Sequence, residues 1–128
     1  MRAGGIVPAA MDVPALEHWQ ADAADAPGTV LTIPPDAKRE RVFEIAITVV
    51  VGVPADAKAP WLQVTVQANG AQQWQRRVHA HNPGQHDGLD YRFRRSVPVA
   101  QTLRLQVAVG VGGGARRRAL KIEADEVG

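Results

Sequence analysis

Two sets of side chains have the types and spacing to do chemistry. In WLQVTVQA (61–68), Trp61, Gln63, Thr65 and Gln67 alternate with Leu62, Val64, Val66 and Ala68, the two-residue period of a half-buried strand. The first four share the outward face. An indole beside amides and a hydroxyl is what a sugar platform requires: the ring covers the apolar face of a pyranose, and the amides bond its hydroxyls. The competing assignment makes Trp61, which follows Pro60, a cap on the rim of the fold. The second set is imidazole. His79 and His81 are two apart on one strand and project to the same face, and His86 with Asp87 follows on the next loop. His-x-His plus a third imidazole can form an open divalent-metal site. The competing assignment leaves solvated histidines beside a loop.

The remaining composition narrows the chemistry. The 128 residues include no cysteine, which excludes disulfides, thiol nucleophiles and cysteine metal sites. Ser96 is the sole serine and neighbours Arg95 and Pro98, so no Ser-His-Asp arrangement can be argued. GVGGGA (110–115) joins two strands and leads into no helix, so it lacks the context of a phosphate-binding loop. Arg92, Arg94 and Arg104 are expected outward on two successive strands; as neighbours they would form a basic stripe for an anionic sugar, a phosphate or nucleic acid. The competing role is charge that keeps an edge strand from pairing. A formal net charge of +2 is not that of a dedicated nucleic-acid binder, and the interleaved exposed aromatics of single-strand binding are missing. No apolar run reaches membrane-spanning length. No signal peptide is seen, so a complete chain is expected to be cytoplasmic.

These residues need strands to hold them. Residues 1–14 (MRAGGIVPAAMDVP) read as a loose arm, and 15–128 as a single domain. Residues 15–25 are bounded by Pro14 and Pro27 and allow one or two helical turns or an irregular segment, with Trp19 packing on the domain as a plug. Strands are expected at 29–33, at 41–53 with Phe43, Ile45, Ile47, Val49 and Val51 on one face, on both arms of a hairpin over 60–81, from Leu89 to Val99, at 102–111 and at 117–125. The hairpin carries a register conflict. A two-residue Asn69-Gly70 loop sets Val66 against Gln73, apolar against polar, whereas a three-residue loop of Ala68, Asn69 and Gly70 sets Val64 against Trp74. The latter, a type I turn closed by a left-handed Gly70, is the expected form. Seven to eight strands with turn signals between them indicate an all-β, two-sheet antiparallel sandwich of jelly-roll type; an up-and-down barrel is the alternative.

From Trp19 onward the layout resembles the galactose-binding-like jelly roll of many carbohydrate-binding modules. The stretches that carry the resemblance are RVFEIAITVVVG as the strand that opens the core, WLQVTVQANG with AQQWQRRVHA as the central hairpin, and YRFRRSVPVAQTLRLQVAVGVGGGARRRALKIEADEV as the closing pattern. Such modules often hold a structural calcium on an acidic last strand. Glu123 and Asp125 occupy that strand here, but matching acids near the N-terminus are not evident, so no cofactor is expected. The segment VHAHNPGQHDG resembles the first cupin motif, without its glutamate and without a second histidine motif. The leading reading is therefore a non-catalytic module that binds carbohydrate at Trp61, Gln63, Thr65 and Gln67. The alternatives are a protein-interaction or assembly module, and a small cupin-like metal enzyme using His79, His81 and His86.

The face assignment has a direct check. Val64→Asp should cost about 3 kcal/mol or more by burying an unpaired carboxylate, and Thr65→Asp should cost little. Urea denaturation of both variants measures this; equal losses would show the strand faces reversed.

Overall fold

Eight strands are divided between two layers in the computed structural model, which describes residues 15–128; the arm expected over 1–14 lies outside the described residues. The strands are β1 (His18–Asp22), β2 (Gly28–Ile33), β3 (Arg41–Gly52), β4 (Trp61–Ala68), β5 (Ala71–His79), β6 (His86–Val97), β7 (Leu103–Gly112) and β8 (Arg116–Glu126). The first sheet has the order β1-β8-β3-β6 and the second β2-β7-β4-β5, and every pairing is antiparallel. Strand β1 pairs with β8, β2 with β7, β3 with β6 and β4 with β5. The chain is one long hairpin, folded back at Asn69-Gly70 and rolled into two sheets, which is the jelly roll. The described residues form two open sheets and no closed barrel.

Alternation along each strand fills the space between the sheets. Phe43, Ile45, Ile47, Val49 and Val51 of β3 face Leu62, Val64 and Val66 of β4 and Leu103, Leu105 and Val107 of β7, all buried. Burial weakens toward β5 and β6, the two edge strands on one flank. There Trp74 stacks on Tyr91 with centroids 4.2 Å apart, and Tyr91 on Phe93 at 5.2 Å. This half-buried aromatic ladder closes the flank, so Trp74 packs against the core as its apolar neighbours require. Among the described residues, no helix is long and apolar enough to cross a membrane.

Two local expectations need correction. Residues 18–22 form a strand where helical turns or an irregular segment were expected: pairing with β8, from His18 opposite Asp125 to Asp22 opposite Lys121, overrides the weak local propensity. It also packs Trp19 against the core. The hairpin loop has two residues, Asn69 and Gly70, with φ of 50° and 82°, and Ala68 is opposite Ala71. Both residues are left-handed, as a type I′ loop demands. Ala68 stays in the strand because it is buried and pairs with Leu105 of β7. The register conflict is settled by a bulge: Gln67 is opposite Gln72 but Val66 is opposite Trp74, so Gln73 is the extra residue and the apolar faces meet.

At the end of the sandwich that holds both termini of the described chain, an ionic cluster joins four segments. Arg41, buried at 2% exposure, donates to Glu17 Oε1 at 2.7 Å and to the Pro34 carbonyl at 2.8 Å. Arg39 donates to both oxygens of Glu126 and to Glu17. The Trp19 indole N–H donates to Glu17 at 2.9 Å. Chiefly through its bond from Arg39, the Glu126 carboxyl is held below the ordinary carboxylate range. A lowered pKa in the folded state stabilises the fold above the unfolded value, about 4.3 for glutamate, and that stabilisation disappears as pH falls through the folded value. Urea midpoints should therefore fall on acidification below about pH 4.3, and less steeply in Glu126→Gln than in the parent. Equal slopes would remove Glu126 from the acid response.

Candidate functional site

The outer face of the second sheet gathers the expected binding residues. Register places Gln67 of β4 between Gln106 of β7 and Gln72 of β5, Thr65 between Ala108 and Gln75, Gln63 between Gly110 and Arg77, and Trp61 between Gly112 and His79. The result is a floor of amides three strands wide, ending at an indole. The four strands of this sheet contain no aspartate or glutamate. The amides on β5 and β7 were not singled out from sequence; their signal was the same alternation, visible in LRLQVAVG and AQQWQRR once the pairing of strands is known.

Trp61 is a packed residue with a polar cover. Its ring extends over β7, where an added Cβ at Gly110 would lie 3.6 Å from Cζ3 and one at Gly112 would overlap the indole outright. Glycine at these positions makes the seat for the ring. The Arg77 guanidinium lies 4.0 Å above the ring centroid, and its Nε donates to Gln63 Oε1 at 2.9 Å. A cation over an indole face is attracted by the ring quadrupole. The indole and guanidinium thus form a raised wall at one end of the amide floor. A bare ring face is not what the structure presents.

The histidines separate. His79 is on the outer face of β5 beside Trp61. His81 has left the strand, and its backbone N–H donates to Asp87 Oδ2 at 2.7 Å. His86 opens β6 in the other sheet, opposite Gly52. Among the described residues, no group of three or more His, Cys, Asp or Glu is placed to hold a metal ion. The arginines separate too. Arg92 and Arg94 lie on the outer face of the first sheet, with Arg94 Nε 3.3 Å from Glu44, while Arg104 lies on the outer face of the second. Strands β6 and β7 are successive in sequence but belong to different sheets, so the expected stripe does not form. Asp125 of β8 is held by the His18 imidazole.

No protein-family model matches the chain, and no curated protein matches it. Among solved structures it is similar to dimeric latent PorU from Porphyromonas gingivalis, with 13% identity and a TM-score of 0.48 over 89% of this chain. The chain spans 13% of that protein's length.

The packing of Trp61 gives a prediction. Gly112→Ala should expel the indole from its seat, shifting tryptophan emission to the red and lowering stability by about 1–3 kcal/mol, as overpacking does. Gly114→Ala, strained by its φ of 95° but meeting only Ala57, should lower stability while leaving the emission unchanged. Unaltered emission in Gly112→Ala would show that the ring does not rest there.

Proposed function

We propose that the chain is a non-catalytic binding module that takes a carbohydrate on the outer face of its second sheet. The observation that carries this reading is the amide floor. Thr65 and Gln67 stand in register with Gln75, Gln72 and Gln106, Gln63 follows on the same face beside Arg77, and no carboxylate interrupts them on any of the four strands. An amide offers two donors and an acceptor, which suits a ligand that presents hydroxyls of both roles along its length; the oxygens of Gln63 and Gln106 already accept from Arg77 and Arg104, so these two contribute chiefly donors. The Trp61–Arg77 wall gives the floor an end, against which a terminal sugar would rest. The absence of carboxylates also argues for binding over hydrolysis, because glycoside cleavage ordinarily needs two of them flanking the bond. The jelly roll agrees with the resemblance to galactose-binding-like modules, although a fold alone does not assign a ligand.

A second reading has one observation of its own. Strands β5 and β6 are both edges on the same flank, and the half-buried Trp74, Tyr91 and Phe93 lie between them. An extended segment of another protein could add to either edge. Arg76, Arg77, Arg92 and Arg94 along these strands act against such pairing.

A glycan-array screen of the isolated chain tests the leading reading, followed by titration of any glycan that binds. Gln67→Ala and Thr65→Ala should each weaken binding by about five- to tenfold, the loss of one or two hydrogen bonds, with unfolding midpoints unchanged. Absence of binding to every glycan on the array, or affinity indifferent to both substitutions, would overturn the assignment.

A further inference from the structure

We infer that the loop end of the first sheet holds a second site, built for the oxyanion of a phosphate or sulfate ester. The site is a surface cavity of about 910 Å³ lined by Gly52, Val53, Gln85, His86, Arg116 and Arg118 among others. It lies on the sheet opposite the amide floor and does not depend on the carbohydrate reading.

Three consecutive arginines open β8, and the structure sends them to different places. The bulge between Val50 and Val51 sets Gly52 opposite Arg116, Val51 opposite Arg117 and Val50 opposite Ala119, which leaves Arg118 as the extra residue. Arg117 turns inward and donates from Nε to the Val109 carbonyl of β7 at 2.8 Å. Arg116 and Arg118 are exposed and line the cavity. Bulges commonly re-aim a side chain in this way. The Arg118 guanidinium lies against the backbone of Gly52, where an added Cβ would stand 2.9 Å from Nε.

The charge around these two groups is one-sided. No ion pair among the described residues engages Arg116 or Arg118, and no carboxylate lines the cavity. The nearest acid on β6, Asp87, has both oxygens occupied by the backbone N–H groups of His81 and Gly88. The opposite wall is tied down: Val53 N–H donates to the Gln85 carbonyl at 2.8 Å, and Gly84 N–H donates to the Val53 carbonyl at 2.6 Å. An Arg118 guanidinium held against Gly52 and a second arginine, Arg116, on the same lining, with His86 and Gln85 beside them, offer the donors that a tetrahedral oxyanion takes. Guanidinium groups bind phosphate and sulfate through paired, charge-assisted hydrogen bonds.

The test is an amide NMR titration with inorganic phosphate and, separately, inorganic sulfate at low ionic strength. Saturable shifts should concentrate at Gly52, Val53, Gln85 and His86. Arg116→Gln with Arg118→Gln should weaken binding by at least about tenfold, the scale of a lost charge-assisted pair, with the rest of the spectrum unchanged. Arg92→Gln with Arg104→Gln removes the same charge elsewhere and should leave the affinity intact. Gly52→Ala should weaken binding by displacing Arg118 while both arginines remain. Titration with a sugar phosphate and a sugar sulfate then names the source of the oxyanion by which binds tighter. Shifts spread evenly over all arginine-bearing strands, or equal losses in the two double variants, would overturn the site.

Discussion

The reversal at Asn69-Gly70 is the constraint on which the fold depends. Every pairing between the first and second halves of the chain, β4 with β5, β3 with β6, β2 with β7 and β1 with β8, is registered outward from this point. A slip of one residue here would turn side chains from the core to solvent. Two features prevent the slip. Asn69 is fixed to β7: its backbone N–H donates to the Arg104 carbonyl at 2.9 Å, its Oδ1 accepts from Arg104 N–H at 2.8 Å, and its Nδ2 donates to the Thr102 carbonyl at 3.2 Å. The bulge at Gln73 then restores the apolar pairing that a tight loop would have broken. Because nearly all other pairings are long-range, little of the sheet can form before this reversal, and slow folding is the expected consequence.

The far end of the rolled hairpin needs a different device. Strand β1 is five residues long and lies at a sheet edge, so its ladder alone holds it weakly. The Glu17, Arg39, Arg41 and Glu126 cluster supplies the remaining attachment. Glu126 N–H donates to the Glu17 carbonyl and Glu17 N–H to Glu126 Oε1, so the start of β1 and the end of β8 clasp each other. A buried arginine is costly to desolvate. Arg41 offsets that cost with two strong acceptors and the Phe43 ring 5.5 Å away, while its Nε finds no partner.

What the sequence discloses follows from which forces are local. Alternation in FEIAITVVV, LQVTVQA and LRLQVAV depends on one strand at a time, and it identifies the core residues without knowledge of their partners. The bulge at Gln73 could be posed as a conflict but not placed, because the answer depends on Ala68 pairing with Leu105 of β7. The site is divided in the same way. Trp61, Gln63, Thr65 and Gln67 share a face because they share a strand. The covering of Trp61 by Arg77, its seat on Gly110 and Gly112, and the scattering of His79, His81 and His86 are cross-strand facts. Strand β1 was hidden because ALEHWQADAAD has no strong alternation and owes its conformation to β8. The ionic cluster was hidden because its members lie at sequence separations up to 109 residues.

Charge divides the molecule into two chemically distinct surfaces. The second sheet has no carboxylate on any strand, and its outer face presents amides, a hydroxyl, the Arg104 and His79 side chains, and a guanidinium held against an indole. The first sheet carries acids, and several of them are paired: Glu44 with Arg94, Glu123 with Lys121 and Asp125 with His18, while the exposed Asp22 and Asp90 form no ion pair among the described residues. Pairs of this kind contribute little stability individually. Where β8 begins, Arg116 and Arg118 stand without acidic partners among the described residues, on the lining that Gly52 shares. Two positive charges without acidic partners at one end of the sheet attract anions to that end. The carbohydrate proposed for one surface and the oxyanion proposed for the other would therefore meet different residues, and a single glycan bearing an ester group could reach both only by passing around the loop end that they share.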